Sequence, residues 1–116
     1  TIAPVDHKRI GLMGHSLGAM TTMSIASAHG ELLAGIVPIA GNGRMAFDAA
    51  ALPCRAYAAE YDFLLPASAV RAGVERLQNA QPDAQIAFKL VEGAGHVLIV
   101  NQILDEAVAW LLEQRR

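Results

Sequence analysis

Cysteine is almost absent from this 116-residue chain, in which Cys54 is the only one. One cysteine cannot form an intramolecular disulfide, and it cannot build a cysteine-based metal site. Cys54 opens an apolar run, so we expect it to be an inert, buried thiol. This cysteine usage suits a reducing compartment, but it leaves the localisation unknown, with a slight preference for the cytoplasm.

Charged residues are also scarce, because Asp, Glu, Lys and Arg together make up 17% of the chain. The net charge is −2 and the isoelectric point is about 6.0, so no electrostatic footprint for nucleic acid or an anionic membrane is present. No apolar stretch approaches the roughly 20 residues of a membrane-spanning helix. In contrast, hydrophobic residues make up 53% of the chain, which predicts a large buried surface.

Apolar runs and helical patterns alternate along the chain. Four of these runs are candidate strands, and the second lacks polar alternation, as is typical of a parallel strand covered on both faces, although Pro38 is awkward within it. The pattern predicts an α/β fold with a mostly parallel, four-stranded sheet flanked by helices, in a single domain over residues 1–116. The predicted strands are 10–13, 35–40, 54–60 and 84–91; the predicted helices are 17–28, 66–79 and from 97 or 101 to 114, with a short helical turn near 45–51.

The first strand leads into the segment Gly14-His15-Ser16-Leu17-Gly18. A serine hydroxyl is a weak nucleophile unless a base removes its proton during attack. A tight turn from a strand into a helix exposes the hydroxyl, and flanking glycines avoid side-chain clashes in such a turn. We therefore predict that Ser16 is the nucleophile of a serine hydrolase.

Two further residues complete a proton relay with Ser16. His96 lies on a glycine-rich loop after the last predicted strand and is the predicted general base, and Asp62 lies just after the third strand and is the predicted orienting acid. Carboxyl ends of parallel strands meet at one edge of the sheet, which would bring the three side chains together. Alternatives for the acid are Glu60, Asp48 and Glu92.

The other histidines are not expected to act as the base. The side chain of His15 should point away from Ser16 into the fold, while His7 and His29 are expected to be solvated.

The transition state of acyl transfer needs hydrogen-bond donors for the developing oxyanion. The backbone N–H of Leu17 is the predicted first donor, and no loop upstream of Ser16 in this sequence can supply the usual second one. Tyr61 and Phe63 flank the acid and are predicted to line the substrate pocket, although simple packing explains them equally well. The sequence has no glycine-rich phosphate loop and no metal-ligand spacing, so neither a cofactor nor a metal is expected.

Residues 5–19 resemble the fifth strand and the nucleophile turn of bacterial α/β-hydrolases, especially dienelactone-hydrolase-like esterases and related carboxylesterases. Residues 57–66 are similar to the acid-bearing segment after strand seven of that family, and residues 91–97 resemble the histidine loop after strand eight. The resemblance implies hydrolysis of small-molecule carboxylic esters through an acyl-enzyme on Ser16, without a cofactor. Dienelactone hydrolases themselves carry a cysteine nucleophile, so Ser16 favours a general esterase.

Family members place four strands before the nucleophile turn, so this chain resembles the C-terminal half of the fold, strands five to eight. The edge of the first strand would then be uncovered, which invites pairing with another chain. We therefore expect a homo-oligomer or association with an N-terminal half. Alternative functions are a lipase, thioesterase or peptidase with the same triad, or a catalytically weak half-domain that acts as an assembly or interaction module.

Overall fold

The computed structural model describes residues 6–41 and 52–115. Four strands form one sheet in the order β1-β2-β3-β4, and every neighbouring pair is parallel. The predicted α/β class and four-stranded sheet are therefore confirmed, with all described strands parallel. The elements are β1 (Gly11–His15), α1 (Leu17–His29), β2 (Gly35–Ile39), β3 (Cys54–Ala59), α2 (Ala67–Ala80), β4 (Ile86–Val91) and α3 (Ile99–Leu112).

The differences from the predicted bounds lie at the ends of elements. β1 continues two residues past Met13 to His15, β3 ends one residue before Glu60, and a short 3-10 helix at Gly30–Leu32 extends the first helix. The predicted helical turn at 45–51 and the alternative acid Asp48 lie outside the described residues. No helix in the described parts of the chain is long and apolar enough to cross a membrane.

The two inner strands β2 and β3 are covered on both faces and are buried along nearly their whole length, whereas β4 alternates between half-buried and exposed residues. Side chains of successive strand residues point to opposite faces. On one face Val37 and Tyr57 pack with Ile103 of α3, in a core cluster that also contains Met13. On the other face Ile36 and Cys54 belong to a cluster built with residues of α1 and α2.

Pro38 lies in β2 and is buried, as the sequence pattern predicted in spite of its missing N–H. The N–H groups of Ile36 and Ala40 donate to the carbonyls of Pro53 and Tyr57 on the β3 side, at 2.9 and 2.8 Å. Alternate residues of a strand direct their backbone groups to the same neighbouring strand, so the backbone of Pro38, between Ile36 and Ala40, also faces β3. The proline therefore interrupts the β2–β3 ladder at one position.

Polar contacts hold α3 on the sheet. Glu106 of α3 accepts hydrogen bonds from the Tyr57 hydroxyl at 2.9 Å and from the Lys89 ammonium at 2.9 and 3.0 Å. The Lys89 hydrogen bond is the main reason why the pKa of Glu106 lies below its usual value. Burial, followed by the contact with Glu106, raises the pKa of Tyr57 to about 12. At the C-terminal end of α3 the Arg9 guanidinium donates to the carbonyl of Leu112, so polar contacts hold this helix at its middle and at its last turn.

Candidate active site

Ser16 stands between β1 and α1 with a backbone conformation that is rare for a residue with a side chain (φ 60°, ψ −116°). Such a conformation costs on the order of 1–3 kcal/mol. The surrounding hydrogen bonds hold it, because the N–H of Ser16 donates to the Ile39 carbonyl at 2.8 Å and the Ser16 carbonyl accepts from Ala19 N–H at 2.9 Å. The chain thus turns sharply from strand to helix at Ser16.

Gly14 and Gly18, which flank this turn, differ in the space that they leave for a side chain. A Cβ on Gly14 would lie 2.1 Å from the Gly18 carbonyl oxygen and 2.5 Å from Thr22 Oγ1. A Cβ on Gly18 would meet nothing within 4 Å. The clash expected from the sequence therefore exists at Gly14, and the same reasoning was wrong for Gly18, because the first turn of α1 leaves space there.

The structure brings Ser16, His96 and Asp62 together at the carboxyl edge of the sheet. The Ser16 hydroxyl lies 2.8 Å from His96 Nε2, and His96 Nδ1 lies 2.6 Å from Asp62 Oδ2. A carboxylate only accepts hydrogen bonds, so Nδ1 of His96 carries the proton and Nε2 is free to accept from the Ser16 hydroxyl. The Asp62 side chain is fully buried and that of His96 is 14% exposed, so the contact between them is largely shielded from water.

Asp62 is held in its charged form by hydrogen bonds at both oxygens. Oδ1 accepts from the N–H groups of Leu64 and Leu65 at 2.9 and 2.8 Å, while Oδ2 accepts from His96. Burial by itself would raise the pKa of Asp62, but the hydrogen bonds from Leu65, His96 and Leu64 outweigh it and hold the pKa below its usual value. Asp62 is therefore a carboxylate at neutral pH.

The alternative acids occupy other places. Glu60 Oε1 accepts from the N–H of Gly93 at 3.0 Å, so this carboxylate braces the backbone of the His96 loop. Glu92 is exposed on the same loop. Gly93 has a φ of 74°, a conformation that favours glycine, and it begins the bend that presents His96.

Leu17, the predicted donor to an oxyanion, is the first residue of α1. Its N–H makes no hydrogen bond with a described residue, as is general for N–H groups in the first turn of a helix. The positive end of the helix dipole lies at this turn and favours a developing negative charge beside Ser16. The geometry is compatible with the predicted role of Leu17.

Large apolar residues that are open to solvent lie close to the three residues along the chain. Phe63 is 92% exposed and Tyr61 is 58% exposed, so the pair singled out from the sequence is not packed into the core. The sequence reasoning missed further members of this group, although their position next to Ser16, Asp62 or His96 could have indicated them. We call the whole set the apolar rim: Leu17, Tyr61, Phe63, Leu64, Val97 and Leu98.

His15 is half-buried at the end of β1, where it contacts the predicted base. Its Nε2 lies 2.6 Å from the carbonyl oxygen of His96, and the two rings are 5.0 Å apart between centroids. Nothing in the sequence pattern indicated this partner, which is 81 residues away along the chain. His29, in contrast, is an exposed residue near Glu31, and His7 is also exposed.

Cys54 is buried, and burial raises the pKa of its thiol to about 12, in agreement with the expected inert thiol. Within residues 6–41 and 52–115, no three His, Cys, Asp or Glu side chains are grouped so that they could hold a metal ion.

Comparison with known proteins found no matching family model and no matching curated protein. Solved structures do match. The chain is similar to a thermostable esterase with a TM-score of 0.79 and 25% identity, covering 97% of this chain and 32% of that one. It is similar to Arabidopsis thaliana SOBER1 (TM-score 0.78, 20% identity, 92% and 53% covered) and to esterase PE8 (TM-score 0.73, 22% identity, 92% and 51% covered).

The chain thus spans between about a third and somewhat over half of the length of these structures, with coverages of 32%, 53% and 51%. Over that length the order of strands and helices is shared along nearly the whole chain. The chain therefore has an α/β-hydrolase fold, shared with these esterase structures over the part of that fold that it spans.

Proposed function

We propose that this chain carries the active site of a serine esterase, which hydrolyses carboxylic esters through an acyl-enzyme on Ser16. The observation that carries the proposal is the continuous path of hydrogen bonds from Ser16 Oγ through the His96 ring to Asp62, at 2.8 and 2.6 Å. The esterase structures with the same fold support ester hydrolysis as the class of reaction. In this proposal Ser16 is the nucleophile, His96 the general base and Asp62 the residue that orients the base.

The reaction proceeds in two halves. As Ser16 Oγ attacks the ester carbonyl carbon, His96 Nε2 takes the hydroxyl proton, and it then gives that proton to the oxygen of the leaving alcohol. The acyl group remains on Ser16. A water molecule then attacks the acyl carbon while His96 takes its proton, and the carboxylic acid leaves as the proton returns to Ser16 Oγ. Asp62 keeps the proton on Nδ1 and stabilises the imidazolium that forms in each half.

Each attack places negative charge on the former carbonyl oxygen. We propose that the Leu17 N–H donates to this oxyanion at the start of α1. Acyl-transfer sites use at least two such donors. We therefore expect a second donor beside the Leu17 N–H.

The apolar rim suggests a substrate with an apolar acyl group. Burying an exposed Leu or Phe side chain against such a group contributes about 1.5–3 kcal/mol. Tyr61 and Phe63 lie on either side of Asp62 in the chain and are the rim residues that we assign to substrate binding. A lipase, thioesterase or peptidase would use the same acyl-enzyme chemistry, so the acyl and leaving groups have to be identified by assay.

Covalent labelling with a fluorophosphonate, located by peptide mass spectrometry, tests the nucleophile directly. We expect the label on Ser16, and we expect Ser16→Ala to abolish both labelling and hydrolysis of a short-chain p-nitrophenyl ester. Ser24→Ala is the matched control, because Ser24 is an exposed serine on α1. A label on another residue, or a Ser16→Ala variant with unchanged turnover, would show that the assignment is wrong.

A second candidate function is assembly. In the described sheet β1 is an edge strand, and Leu104, Val108 and Leu112 of α3 are partly or largely exposed. We propose that the edge of β1 pairs with a second copy of the chain, in which case isolated chains would have weak activity. Light scattering after size-exclusion chromatography should then detect self-association of the chain. A folded monomer at all concentrations, with full esterase turnover, would contradict this proposal.

A further inference from the structure

We propose that His15 is a positioning residue for the general base: its Nε2–H donates to the main-chain carbonyl of His96 and thereby sets the distance between His96 and Ser16. This inference rests on the proposed function, since it concerns the geometry of the same site. It adds a fourth residue, one whose role is to hold the backbone of the base rather than its ring.

The position of His15 in β1 explains how it reaches the loop. Alternate residues of a strand point to the same face, so His15 shares its face with Met13, which packs in the cluster formed with α3. The His96 loop leads directly into α3 at Ile99, so its backbone passes over this face. His15 therefore contacts the main chain of His96 from β1, while the next residue, Ser16, contacts the His96 ring from the turn after β1.

His96 is held at two points by consecutive residues of one strand end. Ser16 Oγ contacts the ring at Nε2 (2.8 Å), and His15 Nε2 contacts the main-chain oxygen (2.6 Å). Asp62 contacts the ring at Nδ1 from the end of β3 (2.6 Å). Asp62 thus fixes how the ring is turned, and His15 ties the backbone of the base to the strand end that carries the nucleophile.

The neighbouring loop residues have separate anchors. Gly93 N–H donates to Glu60 (3.0 Å), the Ala94 carbonyl accepts from Tyr61 N–H (2.9 Å), and the Gly95 carbonyl accepts from Ile99 N–H (3.2 Å). These contacts tie the loop to β3 or to its own helix. The bond from His15 ties it to β1, which is the element whose position relative to His96 determines the approach of Ser16 Oγ.

The acceptor decides the protonation of His15. A carbonyl oxygen has no proton to donate, so His15 Nε2 must carry one. We infer that Nε2 of His15 carries a proton in the active protein.

Two substitutions separate the hydrogen bond from the packing of the ring. His15→Leu removes the donor, and His15→Gln keeps an N–H at a similar reach. We expect kcat of the full chain on a p-nitrophenyl ester to fall about 10- to 100-fold in His15→Leu, because a shift of roughly 1 Å in a catalytic group costs about that much. KM should change little, and His15→Gln should recover most of the lost kcat. His29→Leu is the control and should keep wild-type kcat, because His29 is exposed at the end of α1.

Nitrogen-15 NMR of the histidine-labelled wild type provides a second readout, which requires no turnover and no variant that might misfold. We expect a proton on Nε2 of His15. A ring whose Nε2 carries no proton, or equal losses of kcat in His15→Leu and His15→Gln, would overturn the proposal. If the wild type neither hydrolyses esters nor labels at Ser16, the proposed function fails, while the NMR result still decides whether the His15 bond exists.

Discussion

Gly14 lies so close to Gly18 that a Cβ on Gly14 would be 2.1 Å from the Gly18 carbonyl oxygen. The contact closes the turn that carries Ser16, since the strand before the serine runs directly against the first turn of the helix after it. Gly14 therefore has a steric role that its partner in the motif does not share. The two glycines become a natural pair for mutagenesis.

We predict that Gly14→Ala destroys the site and that Gly18→Ala is tolerated. The methyl group at position 14 would displace backbone and Thr22 Oγ1, whereas the one at position 18 enters open space. Gly14→Ala should fold poorly or lose fluorophosphonate labelling at Ser16. Gly18→Ala should label normally and should be at least as stable, since alanine favours a helix by about 1 kcal/mol over glycine. Equal behaviour of the two variants in labelling and urea unfolding would contradict the steric argument.

Ser16 itself should be a source of strain. Glycine adopts a φ of 60° with a ψ of −116° more readily than a residue with a side chain. Both Ser16→Gly and Ser16→Ala remove the hydroxyl and its contact with His96, but only the glycine also relieves the backbone. We predict that Ser16→Gly exceeds Ser16→Ala in free energy of unfolding by about 1–2 kcal/mol, on the scale of such strain. Urea titrations of the two inactive variants give this difference, and an alanine variant of equal or higher stability would show that the turn is unstrained.

Asp62→Asn should impair the base while leaving the site nearly isosteric. The amide cannot hold a proton on His96 Nδ1 or stabilise the imidazolium. If the proposed roles are correct, we predict that kcat falls about 10³- to 10⁴-fold, the scale known for serine–histidine–aspartate triads. The measurement is turnover of a p-nitrophenyl ester, with Glu60→Gln as the comparison. Glu60 contacts the loop backbone and not His96, so Glu60→Gln should have a much smaller effect. A larger loss in Glu60→Gln would favour Glu60 as the acid.

The lowered pKa of Asp62 also predicts a dependence of stability on pH. A carboxyl whose pKa is lower in the folded than in the unfolded state stabilises the fold above its unfolded pKa, about 3.9 for aspartate. That contribution is lost as the pH falls through the folded-state pKa. The stability difference between the wild type and Asp62→Asn should therefore shrink as the pH is lowered below about 4. A difference that is constant between pH 7 and pH 3 would contradict the lowered pKa.

Cys54 should resist alkylation in the native protein. The thiolate is the reactive form, and burial raises the pKa of this thiol to about 12. We predict no modification by iodoacetamide at pH 8 under native conditions and complete modification in urea. Because the chain has a single cysteine, the mass of the intact protein reports the result directly. Rapid native labelling would mean that Cys54 is reached by solvent.

The helices, the strands and the parallel sheet could be predicted because each is indicated by a short sequence pattern. Helical spacing, apolar runs and turn residues each act over a few positions, and the alternation of strand and helix restricts the topology. The choice of Asp62 over Glu60 followed from its place beyond the end of β3, and the structure gives Glu60 a different partner in Gly93. The expected role of Gly18 failed because a motif does not state how much space surrounds each of its positions.

The sequence by itself determined that a serine in a tight turn, an acid and a histidine would follow three strands whose carboxyl ends share one edge. This much is encoded in local pattern and chain order. Only the tertiary structure decided that Ser16, His96 and Asp62 are within hydrogen-bonding distance and that His15 Nε2 contacts the main-chain carbonyl of His96. Those contacts join residues 34 to 81 positions apart. Their distances depend on how the strands and α3 pack, and no short segment of the sequence contains that information.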